Sequence, residues 1–378
     1  MHPDDCLQSA AGSPSSQSDS CFAPKLGRLV RFLYSQSLVS FMKTADGFVL
    51  IDGRMVRGHA VSEGGVTELF ECPCRGKADL YGVILPSLND THTHCADAGA
   101  KPEPGMTLEE LVAPPNGLKH RYLRETPRDV LVKDMHAFGE QARANGIGTF
   151  VDFREGGAEG CRMAREACAS AVILGRPSAP AADPSELDEI LSVADGIALS
   201  SLTDVGYAEA EKAAHAAHSA GKPFAIHCSE RIREDIDSVL SLEPAFLVHM
   251  CEASDSDLRK CADAGIPISV CARSNRFFGK VPPLKRMKDI GCTVSMGTDN
   301  AMLCTPDLRP EAALFREILG SAEYDGWIWE CMTAGATELL YRTRGIHACK
   351  REEEYIVLPL NGTGPESAWS SADRVPSL

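Results

Sequence analysis

The sequence predicts an α/β protein: a (β/α)₈ barrel with a small β-sheet domain formed mainly by the N-terminal segment plus a short C-terminal strand. Three observations lead there. After Pro86, eight short apolar segments alternate with helical stretches, the order of a parallel α/β sheet. Those segments are apolar on both faces, as parallel strands buried on two sides must be. The 205 residues between His94 and Asp299, spread over seven units, give roughly 29 per unit, near the ~30 of a βα repeat. A doubly wound open sheet is the alternative, but no glycine-rich phosphate fingerprint follows the first strand.

In chain order, residues 1 to about 24 are rich in Ser, Pro, Gly and Ala and read as disordered. LGRLVRFLYSQSLVSF mixes basic and apolar residues like an amphipathic targeting helix, but Met42 offers another start. Residues 1–41 are therefore assigned as disordered or as a mis-assigned extension. FVLIDGRMV holds two β-rich runs around Asp52-Gly53, a hairpin signal. With Val66–Glu71 and Leu80–Leu85 it predicts a small β domain over 42–85, completed by part of 346–362. Residues 86–345 form the barrel. Its strand candidates are VILPSLND, GIGTFVDF, SAVILG, DGIALSSL, PFAIHC, AFLVHM, PISVCA and CTVSMGTD. Helices such as Arg128–Asn145, Asp255–Gly265 and Pro283–Gly291 lie between them, several opening at Asp, Ser or Pro and closing at Gly. The polar tail 363–378 is expected to fray.

Composition narrows the function. The 378 residues are 44% hydrophobic with a net charge of −15. An acidic chain repels nucleic acid and anionic membranes, and no apolar run approaches the ~18 residues of a membrane span. The 15 scattered Cys, without a secretory signal, read as reduced thiols in a cytoplasmic protein. Cys72-Pro73-Cys74 lacks a second pair at zinc-finger spacing. The expected partner is a small-molecule substrate, and the expected assembly a homodimer.

Working residues of such a barrel sit at the C-terminal ends of its strands. The first strand ends in Asp90-Thr91-His92-Thr93-His94, the fifth in His227-Cys228-Ser229-Glu230, the sixth in His249 and the eighth in Thr298-Asp299-Asn300. Extended residues i and i+2 project to one side, so His92 and His94 can share a metal. His227 and Asp299 complete three nitrogens and one oxygen, suited to one divalent ion, zinc first and iron second. A water on such a metal would have its pKa lowered towards ~7. Glu230, three residues after His227, is placed to move its proton, and His249 to hydrogen-bond the water or an oxyanion. Singly, each signal is weak: a strand histidine is often a core residue and an Asp after a strand often a helix cap. Their order at successive strand ends is what carries the assignment.

LPSLNDTHTH, AIHCSE, LVHM and MGTDN resemble the first-, fifth-, sixth- and eighth-strand signatures of the amidohydrolase superfamily, over about residues 45–345. The His-x-x-Glu variant is similar to the cytosine deaminase and chlorohydrolase branch, and CARSNRFFG, with Arg273 and Asn275, resembles that branch's seventh-strand segment. The resemblance implies one metal on His92, His94, His227 and Asp299, with Glu230 and His249 handling the water. Binuclear members carry a carboxylated Lys after the fourth strand; here that strand runs GIALSSL into Thr203-Asp204. REEEYIVLPL alone resembles the family's C-terminal sheet.

The resemblance implies a metal-dependent hydrolase, foremost a deaminase of an aminated heterocycle. Hydrolysis of an amide, ring or chloro substituent is the alternative. A non-catalytic barrel scaffold would have lost ligands, and here the set is complete. Arg154, Arg176 and Arg273 follow the second, third and seventh strands. They read either as partners of rim carboxylates such as Asp152 and Glu155 or, with His120 and Asn275, as a pocket for an anionic substrate group. LEELVAPPNGLKHRYL is a lid candidate that would carry Lys119 or His120 inward, or an ordinary surface loop.

Overall fold

The computed structural model describes residues 42–103, 105–112, 116–178, 183–344 and 354–378. The extension 1–41 and the first part of 346–362 lie outside the described residues.

The chain first builds a five-stranded sheet. β1 (Lys43–Ile51) and β2 (Arg54–Glu63) pair antiparallel across Asp52-Gly53. Both turn residues have positive φ, 48° and 72°, the backbone twist that suits a two-residue hairpin. β3 (Val66–Phe70) follows through Gly64-Gly65. β4 (Leu80–Pro86) runs parallel to β1, and β14 (Tyr355–Leu358) closes the sheet antiparallel to β4. Ala45, Val49, Ala60, Ile84 and Val357 form its core.

The barrel begins two residues after Pro86, at β5 (Leu88–His94). VILPSLND is therefore two strands, not one. Pro86 has no N–H to continue the ladder, and the hydrogen bonds change partners at Ser87: Ser87 N donates to Glu354 O, while Leu88 N donates to Gly146 O. The remaining strands are β6 (Ile147–Arg154), β7 (Val172–Gly175), β8 (Gly196–Leu199), β9 (Phe224–Cys228), β10 (Phe246–His249), β11 (Ile268–Val270), β12 (Val294–Met296) and β13 (Asp299–Asn300), all paired parallel in sequence order. β12 and β13 are halves of one eighth strand: β12 pairs with β11, and β13 pairs with β5, closing the barrel. Gly297 joins them where a Cβ would stand 2.8 Å from His92 Cβ, so a larger residue would push the first strand aside. Next to it, Asp90 accepts from Thr298 N at 3.0 Å and Thr298 Oγ1 at 2.6 Å. The seam thus carries a carboxylate clasp.

Inside the barrel, alternate residues such as Val151, Phe153, Val172, Leu174, Phe246 and Val248 interdigitate. A buried polar layer crosses it, with Thr91 Oγ1 within 2.9 Å of Ser269 Oγ, Ser295 Oγ and Met296 O. Outside, the helices bury their apolar faces on the strands in a second, larger cluster. Several start at side-chain caps, among them Asp183, Ser254 and Asp307.

The tail does not fray. Trp369 and Val375 are buried, Trp369 lies 5.1 Å from Trp329 ring to ring, and Leu378 N donates to Tyr355 O. Its two apolar anchors outweigh the polar composition that reads as loose. Every described cysteine is a free thiol, and none of the described helices is long and apolar enough to cross a membrane.

Candidate metal centre

Strand geometry brings four predicted residues together at the mouth of the barrel. His92 and His94 leave β5 on the same side, their rings 4.9 Å apart, and His227 from β9 stands 4.8 Å from His92. Asp299, at the start of β13, holds Oδ1 3.3 Å from His92 Nε2 and 3.5 Å from His94 Nε2. The ligand atoms of His92, His94 and His227 lie within 4.8 Å of one another.

The surroundings orient these donors inward. His94 Nδ1 sits 3.0 Å from Phe153 O and His227 Nδ1 2.8 Å from Leu199 O. Backbone acceptors there require the proton on Nδ1 and leave the Nε2 lone pair facing the centre. His92 is fully buried; its Nδ1 has no hydrogen-bond partner, and its Nε2 has only the Asp299 carboxylate beside it. Burial pushes the pKa of all three imidazoles down, that of His92 to about 3, so they are neutral ligands at pH 7. Burial opposes the charge on Asp299, but His92 holds its carboxyl well below the usual range. Three buried imidazoles, two of them oriented by backbone carbonyls, converging with the Asp299 carboxylate fit a divalent ion of the zinc or iron kind.

His249 and Glu230 face the same space. His249 Nε2 lies 3.6 Å from Glu230 Oε1. Burial raises the Glu230 pKa against the opposing pull of His249. The backbone is strained where these groups are presented: Ser229, His249, Met250 and Asp299 all have φ between 50° and 77°. These are four of the six non-glycine residues with positive φ among the described residues, a concentration expected where strain serves a site.

Comparison with known proteins agrees with the geometry. Residues 83–336 match the family described as "Amidohydrolase family". The chain belongs to the amidohydrolase family. A putative aminohydrolase of Methanothermobacter thermautotrophicus is 33% identical over 61% of this chain and 66% of its own length. An uncharacterized protein of Methanocaldococcus jannaschii is 33% identical over 69% of this chain and 75% of its own. The chain thus spans about two thirds to three quarters of these relatives. An atrazine chlorohydrolase from Arthrobacter aurescens, solved with zinc, superposes with TM-score 0.66 at 16% identity, covering 85% of this chain and 88% of that one. An adenosine deaminase from Xanthomonas campestris with bound zinc gives 0.61 at 14%, covering 85% and 86%. Both share the fold.

The amidohydrolase cavity over the centre measures about 250 Å³ and is lined by His94, His227, Glu230, His249 and Asp299 together with Lys119, His120 and Arg176. The predicted arginines separate here. Arg176 lines the cavity, with one guanidinium nitrogen 3.0 Å from Glu155. Arg154 does not: it is 1% exposed and bound to Glu155 and Asp152. It is the last residue of β6, and the carboxylates of Asp152 and Glu155 already fill its fork. Arg273 is also outside the cavity, held by Glu311 Oε1 at 2.6 Å and by the carbonyls of Thr305 and Asp307. Asn275 is fully buried and meets His249 Nδ1 at 3.0 Å, so it contacts a site residue and does not line the cavity.

Lys119 reaches inward from the helix Leu118–Glu125, with Nζ 2.6 Å from Glu155, and His120 beside it lines the cavity with its pKa lowered to about 4 by burial and by Lys119. Sequence reasoning missed Ser201, Thr203 and Glu234, which also line the cavity. The polar run after β8 was the signal for Ser201 and Thr203. It also missed Ser274, whose hydroxyl donates to Asp299 Oδ2.

Proposed function

We propose that this amidohydrolase is a deaminase that uses one catalytic divalent metal, zinc, to hydrolyse a C–N bond of an aminated heterocycle. The observation that carries the reading is that Glu230 and His249 face one cavity with His94, His227 and Asp299. The description of the Methanothermobacter thermautotrophicus relative as a putative aminohydrolase supports it.

His92, His94, His227 and Asp299 would hold the ion. When bound, the cation supplies Lewis acidity that brings the pKa of a water to ~7 and polarises the substrate. The protein's own part is proton traffic and exclusion of solvent. Glu230 takes the proton as oxygen adds to the sp² carbon and returns it to the departing nitrogen. Its raised pKa suits both steps, because a carboxyl poised nearer neutrality gives and receives a proton readily. His249 donates through Nε2 to the oxygen that gains charge. A C–O bond forms, the C–N bond breaks, and ammonia leaves. Arg176 and His120, on the Lys119 wall, would bind a charged or polar substituent remote from the reacting carbon.

Glu230→Gln tests the assignment. It is expected to retain metal and to lose turnover by roughly 10²–10⁴-fold, read as ammonia release across a panel of aminated heterocycles on metal-replete protein. Turnover near wild type would remove Glu230 from the role. Amide, ring or chloro substrates turned over without ammonia would replace deamination by the sister reaction.

A further inference from the structure

The short helix Ala272–Phe277, which follows β11, touches two groups of the site through consecutive side chains. Ser274 Oγ donates to Asp299 Oδ2, and Asn275 Nδ2 lies 3.0 Å from His249 Nδ1. The turn is clamped from behind. The backbone N and Nε of Arg273 both bond to the fully buried Glu311, at 3.1 and 2.6 Å. Asn275 is itself fully buried, and its Oδ1 has no partner. The amide therefore makes one side-chain contact of consequence, and that contact is with His249.

An imidazole nitrogen that accepts a hydrogen bond carries no proton, so a neutral ring must carry it on the other nitrogen. Donation from Asn275 Nδ2 to Nδ1 leaves the proton on Nε2. That nitrogen faces Glu230 Oε1 at 3.6 Å, an acceptor. The opposite tautomer would turn a bare Nε2 towards the carboxylate and make His249 a competing metal ligand, since its ligand atom lies within 4.8 Å of those of His92 and Asp299.

We propose that Asn275 is a positioning residue that fixes His249 as the Nε2–H tautomer, so that His249 offers the reacting centre a hydrogen-bond donor and stays out of the metal's ligand set. The role in turnover rests on the deaminase reading above; the tautomer itself exists without turnover.

The experiment is two-bond ¹H–¹⁵N correlation of the zinc-loaded full chain labelled at histidine, with the His249 signal assigned by its absence in His249→Gln. A protonated Nε2 and a bare Nδ1 are expected; a protonated Nδ1 overturns the proposal. Asn275→Asp keeps the size but can only accept, and should move the proton to Nδ1; an unmoved proton counts against Asn275 as its determinant. Asn275→Leu should lower kcat by about 10²-fold, the order of losing one oxyanion donor, with KM and zinc affinity within about threefold of wild type. An unchanged kcat in folded Asn275→Leu overturns the role in turnover. If Asn275→Leu does not fold, the wild-type and Asn275→Asp spectra decide. An Nε2–H pattern in a chain that releases no ammonia from any substrate upholds the tautomer and sinks the deaminase reading.

Discussion

Glu155 shows how much one side chain can be asked to do. Its Oε1 lies 2.6 Å from Lys119, 3.0 Å from Arg176 and 3.0 Å from His94 Nδ1, while Oε2 takes Arg154 at 2.7 Å. Burial opposes its charge, yet Lys119 and its other neighbours hold its pKa well below the usual carboxylate range. It is an ionised group that joins the cavity's cationic wall to the candidate ligand His94. Glu155→Gln keeps the shape and removes the charge, leaving three cations around a neutral amide. Zinc affinity should fall by roughly 10–100-fold, as for other carboxylates behind a ligating histidine. Competition with a chelator measures it; wild-type affinity would mean that Phe153 O alone orients His94. At this scale the candidate site was legible, because His92, His94, His227, Glu230, His249 and Asp299 each stand at or just past the end of an apolar run. The arginines were not. In the sequence all three lie near the end of a strand candidate; the fold places Arg154 at the last position of β6, Arg176 just past β7 and Arg273 in the helix after β11, and only Arg176 lines the cavity.

At the scale of the element, the helix Asp255–Asp263 has a start that depends on ionisation. Ser254 Oγ accepts from Asp257 N, Asp257 Oδ2 accepts from Ser254 N, and Arg233 binds both oxygens of Asp257 at 2.6 and 2.8 Å. Chiefly through Arg233, the Asp257 pKa is lowered from 3.8 to about 2. A carboxyl whose folded pKa lies below its unfolded one stabilises the fold above the unfolded value, and loses that contribution as pH falls through the folded value. Asp257→Asn should therefore cost about 1–2 kcal/mol at neutral pH, with the gap to wild type closing between about pH 4 and pH 2. Denaturant unfolding across that range checks it; a gap that does not change with pH would assign the loss to packing. The helix that opens at Asp255 and the hairpin at Asp52-Gly53 were readable, because their chemistry is local. The break at Pro86 was not. Apolar residues run on both sides of it, and only the partners of Ser87 and Leu88, far along the chain, divide them between two sheets.

At the scale of the whole molecule, what the sequence hides is packing between distant segments, and the tail is the plainest case. Residues 363–378 look polar, yet Trp369 packs at a tilt against Trp329, Arg309 donates to Asp373 O, and Val357 N donates to Pro376 O. The tail thus joins a barrel helix to β14 and the small sheet. None of its residues lines the cavity over the metal centre. Stability and site should therefore separate. Trp369→Ala removes a large buried side chain, a change that commonly costs about 3–5 kcal/mol. The indole Nε1 is buried without a partner, and its removal relieves a penalty of about 1–3 kcal/mol, so the net loss should fall to about 2 kcal/mol. Trp369→Phe, which keeps the ring and drops the unsatisfied N–H, should cost less than Trp369→Ala. Zinc affinity of the folded fraction should be unchanged in both. Denaturation midpoints with chelator competition on the same samples test the pair of claims. If Trp369→Ala left the midpoint where it was, the tail would be an ornament on the fold; if it weakened zinc binding as well, the barrel's mouth would depend on a strap at its edge.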